Sequence, residues 1–216
     1  MISFAQFLKE SSPFDLQKFK TDCAPYLQHL KGTSGRHMLY HGTKSRLPDW
    51  DIVKWRERDA PRDTPRPAHD ALNDYFKRRL GAPIRNWLFV TGRVNEAKMY
   101  AGDAAGSQTT VIFPVGQFQW AQGRNENNYD MTGWFDRTVI DLKRTAPSLS
   151  FDERRTAAVN YMIKKMDGDR WVFNEDLVDC IKHENEIMLK CDRFYQFTRF
   201  GDTFESAELK SFLSAL

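Results

Sequence analysis

The stretch His183-Glu184-Asn185-Glu186-Ile187-Met188-Leu189 sets two carboxylates one residue apart at the mouth of an apolar run. In an extended strand, residues i and i+2 point to the same face, so Glu184 and Glu186 are expected side by side. Two acids so placed repel, so one is expected either to have a raised pKa or to rely on a cationic neighbour. In glycosyl transfer, carboxylates stabilise an oxocarbenium-like transition state and orient sugar hydroxyls. The plain alternative is a solvated strand edge with two exposed acids. Far upstream, Met38-Leu39-Tyr40-His41-Gly42-Thr43 offers a histidine that could act as base, metal ligand or ribose-hydroxyl donor. The glycine after it is a point where a backbone can approach a ligand closely. A purely structural histidine is the competing reading. Tyr100 closes a short helical segment after Phe89-Val90-Thr91, and serves either as a core aromatic or as a platform for a flat heteroaromatic ring.

Positioning these residues requires an α+β arrangement, with helices early and strands interspersed later. Residues 3–31 read as helical, with Ser12 as N-cap, Pro13 at the first helical position and Asp15 in the first turn. Pro25 is a kink candidate within that segment. His37 to His41 reads as a strand, and the following forty residues are less regular. Prolines and mixed charge make 54–67 a solvated loop, followed by a helix from Ala68 to Leu80 that stops at Gly81. Trp87 to Thr91 is a strand, and Asn95 is placed to cap a helix over Glu96–Ala101 that Gly102 ends. The β-branched run Thr109 to Phe113 is a buried strand, which Gln117 to Trp120 continues. Residues 122–133 read as loop and Phe151 to Met166 as an amphipathic helix. Glu186–Cys191 and Phe194–Phe200 read as two strands around a tight turn at Asp192-Arg193, before a last helix over Phe204–Leu213. The organisation expected is an N-terminal helical segment (1–35), a catalytic domain (36–200) and a C-terminal helix (201–216) within a single domain.

At 216 residues, with 41% hydrophobic and 13% aromatic content, the chain can bury a sizeable core. A formal charge of +3 does not demand a nucleic-acid partner. Lys54 to Arg85 is a basic stretch that reads as a solvated face, the alternative being a surface for an acidic protein or a nucleic acid with Trp50, Trp55 and Trp87 nearby for stacking. The three cysteines have no Cys-x-x-Cys spacing, so free thiols in a reducing cytoplasm are expected. The first ten residues are too polar for a secretory signal, and no apolar run approaches the ~18 residues of a membrane span. Neither a zinc motif nor a complete calcium loop is present, so no metal is expected. No Gly-x-Gly-x-x-Gly or phosphate-binding loop supports a Rossmann or nucleoside-triphosphatase reading.

Taken in order, three segments resemble the motifs of the ADP-ribosyltransferase superfamily. Tyr40-His41-Gly42-Thr43 is similar to its first NAD+-contacting strand. Phe89-Val90-Thr91 followed by Ala97-Lys98-Met99-Tyr100 is similar to its second motif, and Glu184-Asn185-Glu186 before an apolar strand to its third. Phe194-Tyr195-Gln196-Phe197 echoes the final strand of that fold, so the likeness covers about residues 36–200. It implies a split β-sheet with NAD+ held in a cleft, and mono-ADP-ribosyl transfer to a macromolecular acceptor. By this likeness His41 bonds the adenosine ribose, the Gly42 backbone holds the nicotinamide carboxamide, Thr43 belongs to the same cofactor-binding strand, and Thr91 plays a supporting part. Tyr100 would stack on nicotinamide, while Glu186 would bind the nicotinamide ribose and stabilise the oxocarbenium ion. Glu184 corresponds to the acid that orients an arginine acceptor, although the His-Gly first motif belongs to a different branch from the Glu-x-Glu third. The acceptor is therefore expected to be a protein side chain or a nucleic acid. NAD+ glycohydrolysis and a non-catalytic NAD+-binding or partner-binding module are the alternatives. An acceptor-recognition loop is implied around Trp171 to Lys182. Ser3 to Glu10 resembles the opening segment of many proteins of large tailed bacteriophages, which implies work in a host cytoplasm.

Overall fold

The computed structural model describes residues 14–45, 47–57, 66–124, 131–168, 170–183, 185–198 and 204–216. Glu184 and the expected cap Ser12-Pro13 lie outside them. In chain order the elements are α1 (Leu16–Asp22), α2 (Ala24–His29), β1 (Leu39–Thr43), β2 (Trp50–Lys54) and α3 (Arg66–Leu80). A 3-10 turn (Ile84–Asn86), β3 (Leu88–Val90), α4 (Val94–Ala101), β4 (Gln108–Gly123) and α5 (Met131–Thr145) follow. The chain ends with α6 (Phe151–Asp167), β5 (Trp171–Phe173), α7 (Leu177–Lys182), β6 (Ile187–Phe197) and α8 (Phe204–Ser214). The α+β class expected from the sequence is what the chain adopts. The strands form one six-stranded sheet in the order β1-β4-β6-β2, with β3 also beside β6 and β5 beside β4. The β1–β4, β2–β6, β3–β6 and β4–β5 pairings are antiparallel.

Two compact units share this chain: residues 1–55, 91–118 and 191–216 make one, and 56–90 with 119–190 the other. In the first unit, Asp15 caps α1, its carboxylate accepting from the Lys18 N–H at 2.9 Å. Pro25 does not kink one long helix. It stands in the first turn of a new one, α2, where its missing N–H costs nothing. The core here is aromatic: Phe19 meets Phe113 and Tyr195 edge-on, each at 5.1 Å between ring centroids. Phe14, Trp50 and Phe197 extend the cluster, and edge-to-face pairs of this kind add roughly 0.5–1.5 kcal/mol each beyond area burial.

Several expectations are corrected. Asp192-Arg193 is no turn: β6 runs unbroken from Ile187 to Phe197, because Lys54 of the unforeseen strand β2 pairs opposite Arg193 and holds the charged pair in the ladder. Both side chains project into solvent, so the strand accommodates them without burying charge. Strand β4 continues through Gly123, and a helix, α5, occupies 131–145. Within β4, Gly116 takes φ +67°, a backbone region that L side chains rarely adopt. The expected helix at 68–80 forms, and Gly81 ends it at φ +76° with its N–H bonded to the Lys77 carbonyl.

The second unit packs α5 and α3 on α6. Trp171 is buried against Phe76 at 4.6 Å, and Phe173 lies 5.9 Å from Trp87. The segment expected to recognise an acceptor thus contains strand β5 and helix α7, and its tryptophan is a core residue. No helix among the described residues is long and apolar enough to cross a membrane.

All three cysteines are free and buried. Burial pushes the Cys180 thiol up to about 11 and the Cys191 thiol up to about 12, so neither supplies thiolate at neutral pH. Iodoacetamide at pH 8 is therefore expected to leave the native chain unlabelled and to label all three cysteines in urea. Rapid labelling of the native chain, followed by mass spectrometry, would contradict this.

Candidate functional site

His41 and Tyr100 belong to the first unit and are positioned by one close approach. Strand β1 lies along β4, with His41 opposite Thr110 and Gly42 opposite Thr109. The Thr110 hydroxyl donates to the His41 carbonyl at 3.2 Å. Across its other edge, Tyr40 exchanges backbone hydrogen bonds with Thr91 at 2.8 and 2.9 Å, so the end of the 87–91 segment is tied to the start of the His-Gly motif. Helix α4 then packs on β1. A Cβ at position 42 would lie 2.1 Å from the Ala97 carbonyl oxygen and 2.6 Å from the Ala101 nitrogen. Gly42 is thus required by the contact between strand and helix, whatever ligand its backbone also meets.

Thr91 makes the turn into α4. Its buried hydroxyl accepts from the Arg93 N–H at 3.1 Å and donates to the Glu96 carboxylate at 2.7 Å. Asn95 is not the cap: the helix starts at Val94, with Arg93 at the N-cap position and no side-chain cap bond from it. Ala97 and Ala101 form the buried face of α4, while Met99 and Tyr100 project away from it. Tyr100 is 48% exposed, which removes the core-aromatic reading. Gly102 ends the helix as expected, at φ +71°.

Glu186 belongs to the second unit. It stands one residue before β6 rather than on it, so the picture of two acids on one strand face does not hold for it. Its carboxylate, only 11% exposed, lies 3.7 Å from the Arg85 guanidinium, itself 4% exposed. This pair replaces the solvated strand edge as the description of Glu186. Asn185, between the two acids in sequence, is buried, and its side-chain amide donates to the Gly123 carbonyl at 2.5 Å. The buried Gln122 amide donates to the carbonyls of both Asn185 and Cys180, 2.9 Å each. Arg124 meets Asp179 at 2.7 Å. The C-terminal end of β4 therefore fixes both the last turn of α7 and the residue preceding Glu186.

Arg85 is fixed as firmly. Its backbone N–H donates to the Asn73 side-chain oxygen at 3.0 Å, and the Asn73 amide donates to Asn86 at 2.7 Å. His69 Nε2 lies 2.8 Å from the same Asn86 oxygen. The Arg85 guanidinium sits over the Phe89 ring at 4.5 Å. Sequence reading had placed Arg85 in a solvated basic face, and the structure reverses that for this residue, while Lys77, Arg78 and Arg79 are exposed as expected. The missed signal was its setting in Pro83-Ile84-Arg85-Asn86-Trp87, a lone charge between apolar residues. Gln122 and Asn185 carried no such signal. Among the described residues no three His, Cys, Asp or Glu side chains gather as metal ligands would.

Two outcomes are expected. Gly42→Ala forces β1 and α4 apart and should cost about 1–3 kcal/mol, the range for overpacking; an unchanged urea midpoint would contradict it. His69 is buried, and desolvation holds its imidazole below the ordinary value against the opposing hydrogen bond to the Asn86 side-chain oxygen, with the Arg85 charge acting in the same direction as burial. The unfolded chain therefore binds this proton more readily, and stability falls as pH drops through the unfolded value of about 6.5. Urea unfolding at pH 7.5 and 5.5 should show that loss in the wild type and a smaller one in His69→Gln. Equal losses in the two chains would contradict it.

No family model, no curated protein and no solved structure matches this chain.

Proposed function

We propose that the chain is a mono-ADP-ribosyltransferase of the split-sheet ADP-ribosyltransferase fold. It uses NAD+ as co-substrate in a cytoplasm and transfers ADP-ribose to a protein side chain or nucleic acid. The observation that carries the reading is the half-exposed Tyr100 on a helix whose backbone rests on Gly42, next to His41. An aromatic ring of that size is held out of the core by Ala97 and Ala101, which take the buried face of the helix. A platform for nicotinamide needs such a ring.

In the proposed reaction, His41 bonds the adenosine ribose, Gly42 and Thr43 line the nicotinamide side, and Tyr100 stacks on the pyridinium. Thr91 supports the turn that carries Tyr100. The bond from ribose C1′ to the nicotinamide nitrogen breaks, and its electron pair neutralises the pyridinium, so little acid catalysis is needed. Glu186 accepts a hydrogen bond from the 2′-hydroxyl of that ribose and stabilises the cationic sugar. The acceptor nucleophile then bonds to C1′ and loses its proton, with Glu184 orienting it.

Nicotinamide release from NAD+ in the presence of a cell lysate tests this. Glu186→Gln should lower the rate roughly 100-fold or more, in line with the loss of one transition-state electrostatic contact. Tyr100→Ala should weaken NAD+ binding roughly 5- to 100-fold, the equivalent of one lost stacking contact, and Tyr100→Trp should retain it. Undiminished release by Glu186→Gln would remove that residue from the mechanism.

A further inference from the structure

We propose that Arg85 is a positioning residue for Glu186, holding its carboxylate in the orientation that NAD+ cleavage uses. This rests on the transferase reading above and extends it to a residue outside the three motifs. Glu186 stands one residue before β6, and a glutamate side chain has three rotatable bonds to settle. What faces its carboxylate is a guanidinium 3.7 Å away, with both groups almost wholly buried. Arg85 is restrained at both ends of its side chain. Its backbone is bonded to Asn73, its 3-10 turn is tied through Asn86 to His69 and Asn73, and its guanidinium sits over the Phe89 ring at 4.5 Å. On the other side, Gln122 and Asn185 fix the backbone one residue before Glu186. The carboxylate is thus set from the backbone by the amide pair and at its tip by Arg85. A contact of 3.7 Å is an ion pair without a short hydrogen bond, so it orients the carboxylate by charge rather than by a tight bidentate clasp.

Chemistry that depends on one carboxylate placed under a cationic sugar is sensitive to displacement, and a shift of about 1 Å can cost roughly 100-fold in rate. Arg85→Met should therefore lower kcat for nicotinamide release roughly 10- to 100-fold, with KM for NAD+ changed less than about threefold. Arg85→Lys, which keeps the charge, should recover part of the loss. In the Glu186→Gln background, Arg85→Met should lower the residual rate no further. Circular dichroism at the assay temperature establishes that each full-length variant is folded, and Arg85→Lys carries the test if Arg85→Met is not. An active wild type whose kcat survives both Arg85 substitutions overturns the inference, as does an equal loss in the presence and absence of Glu186. A wild type that releases no nicotinamide overturns the transferase reading and this inference with it.

Discussion

The close contact between Gly42 and helix α4 is the constraint on which the surroundings of His41 and Tyr100 depend. No side chain fits between that strand and the Ala97 carbonyl, so helix and strand meet backbone to backbone. Everything local follows from it. Small residues, Ala97 and Ala101, must occupy the inner face of α4. The larger Met99 and Tyr100 are turned outward, and Thr91 must close the turn that delivers the helix to the strand. A Tyr that would ordinarily seek the core is left half-exposed because the core positions on its helix are taken by alanine.

In the second unit, Glu186 rests on a different principle, the enclosure of charge. Burying an ion pair costs desolvation that its mutual attraction often fails to repay, and an apolar pair of similar volume is frequently as stable. Removing only one member typically costs about 3–5 kcal/mol. Stability alone is therefore a weak reason to keep Arg85 and Glu186, whereas a carboxylate held at a fixed place is a good one. The surrounding polar groups fit the same logic. Asn73, Asn86, His69, Gln122 and Asn185 hydrogen-bond one another or nearby backbone, which anchors the residues around the pair.

How much of this was legible in the sequence depended on which physical signal each residue left. Helix α3 declares itself through its glycine stop and α6 through its apolar periodicity, whereas β1 runs on through Gly42 to Thr43 because both pair with β4. Asp192-Arg193 misled because charged residues in a strand mimic a turn when their partner strand is not foreseen, and β2 had too short an apolar signature to be seen. Helix α5 carried a readable helical spacing in Phe135, Val139 and Leu142, masked by the Asn-rich stretch before it. The motif residues His41, Gly42 and Tyr100 could be named, but the reason for Gly42 could not, because it lies in a contact 55 to 59 residues away along the chain. The pairing of Arg85 with Glu186 joins residues about a hundred positions apart and left no local trace.

The most direct test is the fate of NAD+ labelled in its adenylate portion when the full chain is mixed with a cell lysate. Covalent transfer of label to a macromolecule, lost in Glu186→Gln, is the predicted result. NAD+ that stays intact, or label that appears solely as free ADP-ribose, would contradict it.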